Sequence, residues 1–161
     1  MTDLYDLLWE TCSVSCTNIS ERNMDKISLT ILTGEFSIHR LHPSTKIPDT
    51  IEESKFYQIC RTDEELSIVC ETHISMISEH EEKGWACIKV EGPLDFGLTG
   101  VLAGISKVLA ESNISIFAIS TYDTDYILVK HQSLDNSIKA LKANGYAVRV
   151  KASTKTDSRL A

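Results

Sequence analysis

The sequence predicts an α+β fold in which two β-α-β-β-α-β units each lay helices on one face of an antiparallel four-stranded sheet. Two observations carry this reading: the order of strand and helix signals from Trp85 to Val150, and a fainter echo of the same strand strings about 60 residues earlier. Composition agrees. The 161 residues are 42% hydrophobic and 24% charged, which suits one ordinary domain or two very small ones and is unlike a disordered chain.

Trp85 to Val90 (WACIKV) alternates as a strand, and Glu91-Gly92-Pro93-Leu94 breaks it. Asp95 is placed to cap a following helix, whose apolar face is Leu98, Val101, Leu102, Ile105, Val108 and Leu109 at steps of three and four. The helix is expected to end near Ser112-Asn113. Ile114 to Ile119 and Tyr126 to Val129 are short apolar strands joined by the hairpin-length segment 121–125. Ser133 opens a second helix carrying Leu134, Ile138 and Leu141, and Asn144-Gly145 stops it before a last strand, Tyr146 to Val150. This order is the ferredoxin-like plan. A unit of that size buries too little apolar surface to stand comfortably alone, so a second copy or a partner subunit is expected against it.

The first half supplies a weak second copy. Gly84 to Val90 (GWACIKV) resembles Gly145 to Val150 (GYAVRV), and Phe56 to Cys70 repeats the strand, acidic turn, strand pattern found from Phe117 to Lys130. Ile27 to Leu32 and Phe36 to Leu41 read as strands, Pro43 and Pro48 make the stretch from Leu41 to Ile51 irregular, and Glu71 to His80 is a poorly patterned helical candidate. The run Glu79 to Lys83 reads as a solvated helix end and loop. The expected division is an appendage at 1–23, an N-terminal unit at 24–84, a C-terminal unit at 85–152 and a disordered tail at 153–161.

The formal net charge of −7 leaves no basic footprint for nucleic acid or anionic membrane. No stretch is apolar for long enough to span a bilayer, and the first residues lack the basic-then-apolar order of a secretory signal, so a cytoplasmic location is expected. Cys12, Cys16, Cys60, Cys70 and Cys87 contain no C-x-x-C pair and read as reduced structural thiols. His39 with His42, and Cys12 with Cys16, lack the spacing of paired zinc ligands, and no metal or cofactor is expected. His73, His80 and His131 read as solvated imidazoles.

Two enzyme or nucleic-acid alternatives share the βαββαβ plan. An acylphosphatase-like activity would need an Arg in the loop after the first strand, and Gly92 to Gly100 holds neither Arg nor Lys. An RNA-recognition module would need stacking aromatics on its central strands, where only Phe117 and Tyr126 are available. No catalytic triad, P-loop or dinucleotide fingerprint is visible, and the chain is read as non-enzymatic.

Glu91 to Leu102 (EGPLDFGLTGVL) and Ile114 to Tyr126 (ISIFAISTYDTDY) resemble the ACT domain family, specifically the small tandem-ACT proteins related to the CASTOR-type cytosolic arginine sensors. Phe56 to Cys70 (FYQICRTDEELSIVC) is similar to that group's N-terminal unit, and the resemblance covers roughly residues 27–150. It implies a pair of regulatory units holding an amino acid or another small effector at an interface between units, with two chains pairing as a homodimer.

Independently of that resemblance, Gly92, Gly97 and Gly100 permit close backbone approach, and the N–H groups opening the following helix favour an anion such as a carboxylate. Asp95, Asp123 or Asp125 could pair with an ammonium group, and Thr99 and Ser120 offer hydroxyls. Each also has a structural reading: Asp95 as a helix cap, Gly100 as a point of helix approach, Asp123 and Asp125 as turn residues. With the resemblance added, the ligand site is placed on Asp95, Phe96, Gly97, Leu98, Thr99 and Gly100 of the loop and on Ser120, Thr121, Asp123 and Asp125 of the hairpin. The expected partners are a small-molecule effector, most simply an amino acid, a second copy of the chain, and a regulated enzyme or transcription factor. The alternative is an interaction module that regulates such a partner without binding a metabolite.

Overall fold

The computed structural model describes residues 27–151. The appendage at 1–23, Cys12, Cys16 and the tail at 153–161 lie outside the described residues. Eight strands form one sheet: β1 Ser28–Ile31, β2 Phe36–Leu41, β3 Tyr57–Arg61, β4 Leu66–Glu71, β5 His80–Val90, β6 Ile116–Ser120, β7 Asp125–Lys130 and β8 Ala147–Val150. Helices α1, Val101–Glu111, and α2, Leu134–Ala143, occupy the intervals after β5 and β7. The mixed α+β class and the β-α-β-β-α-β order after residue 80 agree with the sequence reading.

β5 organises the sheet. At 11 residues it is the longest strand, and it pairs antiparallel with β7 over Trp85 to Lys89. Along its other edge run β2, with Phe36 opposite Trp85, and then β1, with Ile31 opposite Ile88 and Leu29 opposite Val90. β1 and β2 therefore form one course, interrupted at residues 32–35 and with a register shift against β5 between Phe36 and Ile38. β3 and β4 extend the sheet beyond β2.

This arrangement departs from an antiparallel four-stranded sheet in each unit. β1 takes the edge of β5 that the last strand would have used, so β8 pairs with β1 instead, in parallel, with Leu29 opposite Val148. The expected boundary between residues 84 and 85 also falls inside β5. Glu71 to His80 forms no helix: Ile74 is buried beneath the sheet while Ile77 is 97% exposed, a spacing that gives no continuous helical face. The Ser37–Thr72 and His39–Ser78 side-chain hydrogen bonds, at 3.0 and 3.1 Å, hold this segment along β2. Glu79 to Lys83, expected to be solvated helix end and loop, is mostly β5, whose exposed charges lie over a paired backbone.

Both helices pack on one face. Val101, Ile105, Val108 and Leu109 of α1 and Leu141 of α2 meet Leu29, Ile31, Ala86, Ile88, Val90, Ile127 and Val129. Alternation sends Trp85, Cys87, Ile119 and Leu128 to the opposite face, where they join Phe36 and Val69. Phe56 lies over that face, 5.6 Å from the Phe36 ring and 4.8 Å from Tyr126. The Ser54 hydroxyl, accepting from Glu71 N–H at 3.0 Å, and Glu71 Oε2, accepting from Lys55 N–H at 2.8 Å, fix the backbone that carries it. A third cluster, including Leu41, Ile51, Leu66 and Ile68, serves β2 to β4. Burial pushes the Cys70 thiol up to about 11 and the Cys87 thiol to about 12, so both stay protonated at neutral pH.

Candidate functional site

β5 ends at Val90, and Glu91 to Gly100 lead to α1. The hairpin between β6 and β7 sets the course of this loop. Leu94 N–H donates to the Asp123 carbonyl at 2.8 Å, and the buried Thr124 hydroxyl donates to the Val90 carbonyl at 2.6 Å. Gly92 passes so close that a Cβ there would stand 2.7 Å from the Asp123 carbonyl oxygen, an approach only glycine allows. Loop and hairpin thus meet at one end of the sheet. The reason is topological: β7 runs antiparallel to β5, so the end of one stands beside the start of the other.

An open cleft of about 270 Å3 lies at this junction, lined by Lys89, Gly92, Pro93, Asp123 and Thr124. Lys89 and Asp123 bring opposite charges to it. Among the described residues neither has an ion-pair partner within 4.0 Å, so both remain available to a ligand. The cleft therefore offers a cation that an anionic group could approach and a carboxylate that a cationic group could approach.

Of the ten residues on which the sequence places the ligand site, Asp123 alone lines this cleft, together with Gly92, which the sequence marks for close backbone approach. Asp95 does not cap α1. Its Oδ1 accepts Gly97 N–H at 2.7 Å in an Asx turn, and the helix begins only at Val101, after Gly100 in the left-handed region at φ 85°. Leu98 therefore precedes the helix, 40% exposed, and Thr99 is exposed beside it. Ser120 and Asp125 are cross-strand partners, with the Ser120 hydroxyl donating to Asp125 Oδ1 at 2.6 Å. Asp125 shares its strand face with Ile127 and Val129, the helix side, away from Lys89. Thr121 closes the hairpin, its N–H and hydroxyl both donating to the Thr124 carbonyl at 2.9 and 2.8 Å. Phe96 stacks edge-on against Tyr122 at 5.1 Å, the two rings 78% and 80% exposed.

Sequence reasoning passed over Lys89. Its signal lay in WACIKV, where a cation follows the buried Trp85 and Cys87 on the helix-free face of a strand with neighbours on both edges. Among the described residues, no group of three or more His, Cys, Asp or Glu side chains could hold a metal ion, and no helix is long and apolar enough to cross a membrane.

Residues 80–143, from the start of β5 to the end of α2, match the family model of the ACT domain. A protein from Agrobacterium tumefaciens, Atu0741, is 35% identical to this chain, with a TM-score of 0.72 over 78% of this chain and 94% of its own. Residues 80–143 are therefore an ACT domain. A separate model of an N-terminal domain matches residues 34–76, the region of β2 to β4. Two further solved structures share the fold: VC0802 from Vibrio cholerae, at 19% identity and TM-score 0.60 over 76% of this chain and 92% of that one, and the aspartate kinase of Clostridium acetobutylicum, at 12% identity and TM-score 0.57 over 73% and 34%.

Proposed function

We propose that this ACT domain protein is a non-enzymatic cytoplasmic sensor built of two ACT-type units, binding an amino acid at an interface between units and acting as a homodimer on a partner protein. The observation that carries the ligand reading is that Lys89 and Asp123, neither with an ion-pair partner among the described residues, both line the cleft beside Gly92. That pair matches the two charges of an α-amino acid and leaves its side chain to select among them. The separate core of β2 to β4 and the distinct N-terminal domain match support the two-unit reading. The resemblance of the sequence to the CASTOR-type sensors is consistent with it. Aspartate kinase, described as an allosteric enzyme, supplies a precedent for this fold in regulation. Lys89, Gly92 and Asp123 all belong to the C-terminal unit, so in this reading the interface forms where a second unit closes over the cleft; bound ligand favours that arrangement, and the partner reads it.

A thermal-shift screen of the full chain against the twenty amino acids tests this. An amino acid at a hundred times its Kd stabilises the fold by about 2.7 kcal/mol, a rise of roughly 5–10 °C. The shift is expected to disappear in Asp123→Asn and Lys89→Gln while the unliganded Tm is kept. Light scattering at the mass of one chain would remove the homodimer. The exposed Phe96–Tyr122 pair favours a second reading, a ligand-free module whose aromatic tip docks on a partner protein. A folded sample that no amino acid stabilises, with nothing copurified, would select that reading.

A further inference from the structure

Inserting β1 between β5 and β8 creates a second cleft on the helix-free face. Thr30 of β1 is the cross-strand partner of Lys89 on one side and of Arg149 on the other. Lys89 and Arg149 therefore stand two strand spacings apart, about 10 Å between their backbones, with a hydroxyl side chain between them. Two residues farther along the same face, β1 leads into Leu32 and β8 into Lys151, while Glu91 follows Lys89 beyond β5. These side chains border an open cleft of about 410 Å3.

Three cations share this cleft in a chain of net charge −7. Among the described residues, none of Lys89, Arg149 and Lys151 has a carboxylate within 4.0 Å, and Glu91, on the rim, does not pair with any of them. Like charges on neighbouring strands repel, so grouping them without counter-charge is unfavourable in the empty protein. Cations commonly guard an edge strand against association, which accounts for Arg149 and Lys151 on and beside outermost β8. It does not account for Lys89, whose strand is paired on both sides and whose preceding neighbours on this face, Trp85 and Cys87, are buried.

We propose that this cleft binds a small aliphatic dicarboxylate, one carboxylate held between Lys89 and Arg149 at the Thr30 hydroxyl and the other held by Lys151. The separation of the cations and the apolar Leu32 among them favour two charges joined by a methylene chain over the concentrated charge of a phosphate. This site shares Lys89 with the amino-acid cleft and is told apart from it by its other two cations, Arg149 and Lys151, which border only this one.

The test uses the full-length protein and titrates succinate by calorimetry at low ionic strength, with inorganic phosphate and sodium chloride matched for ionic strength as parallel arms. Succinate is expected to bind, and Arg149→Gln and Lys151→Gln are each expected to weaken it about tenfold, the loss of one charge-assisted hydrogen bond. Glu91→Gln, which removes the repelling carboxylate and leaves every cation, is expected to tighten it. Circular dichroism of each variant checks that the fold persists. Undetectable succinate binding, binding unaltered in Arg149→Gln and Lys151→Gln, weakened binding in Glu91→Gln, or phosphate binding as tightly as succinate would each overturn the proposal. Loss of amino-acid binding at the loop cleft would leave it standing.

Discussion

Replacing Gly92 with Ala tests the junction on which the candidate site depends. The added Cβ would stand 2.7 Å from the Asp123 carbonyl oxygen, 3.2 Å from Leu94 N and 3.2 Å from Thr124 Cβ. Two of these are backbone atoms, and the Asp123 carbonyl also accepts Leu94 N–H, so no flexible side chain can move aside. Overpacking of this kind costs about 1–3 kcal/mol, and loss of the Leu94 to Asp123 hydrogen bond adds about 0.5–1.5 kcal/mol. A destabilisation of about 3 kcal/mol is expected, or about 9 °C in Tm for a chain of this length. Gly97→Ala is the control: its Cβ would meet only Asp95 Oδ1, the mobile end of an exposed side chain, at 3.0 Å, and the cost is expected to stay below about 1 kcal/mol. Urea unfolding of both variants gives the comparison. If Gly92→Ala is as stable as Gly97→Ala, loop and hairpin are not locked together, and the cleft between them has no fixed geometry.

Two further predictions address the sheet and the buried imidazole. Leu29 is fully buried on inserted β1, so Leu29→Ala is expected to lose about 3–4 kcal/mol in urea unfolding; a loss below about 1 kcal/mol would place β1 at the periphery. His39 is 1% exposed, and burial holds its pKa below the ordinary 6.5, with Lys83 adding to the effect and Glu81, 3.8 Å away, opposing it. The unfolded chain therefore takes up this proton more readily than the folded one. Its contribution is fully present above pH 6.5 and is lost as pH falls through 6.5 toward the lower folded value. His39→Gln is expected to flatten the fall in urea midpoint between about pH 8 and about pH 5, and an unchanged slope would refute the assignment.

Much of the C-terminal half was legible because its signals are local. The apolar steps from Val101 to Leu109 and the apolar strings of β6 and β7 report which face is buried, and burial is what a helix or strand imposes on its own sequence. The Thr-Tyr-Asp-Thr turn and the Asn144-Gly145 stop likewise act on their own backbone. The start of α1 was misplaced because Asp95 has two local uses, a cap or an Asx turn, and only the packing of Leu94 and the course of the loop select the second. His80 to Lys83 concealed a strand because its side chains are solvated while its backbone pairs with β2, and hydrogen bonds between distant segments leave no periodicity behind.

The sequence by itself determined the α+β class, the order of elements after Trp85 and the positions of most turns, since each follows from propensities and patterns acting within a few residues. Tertiary structure decided that β1 separates β8 from β5, that the Gly92 loop meets the 121–124 turn, and that Lys89 faces clefts on two sides. Those outcomes depend on competition between strands for the edges of β5. The winner is set by free energy summed across the whole sheet, which no local stretch of sequence encodes.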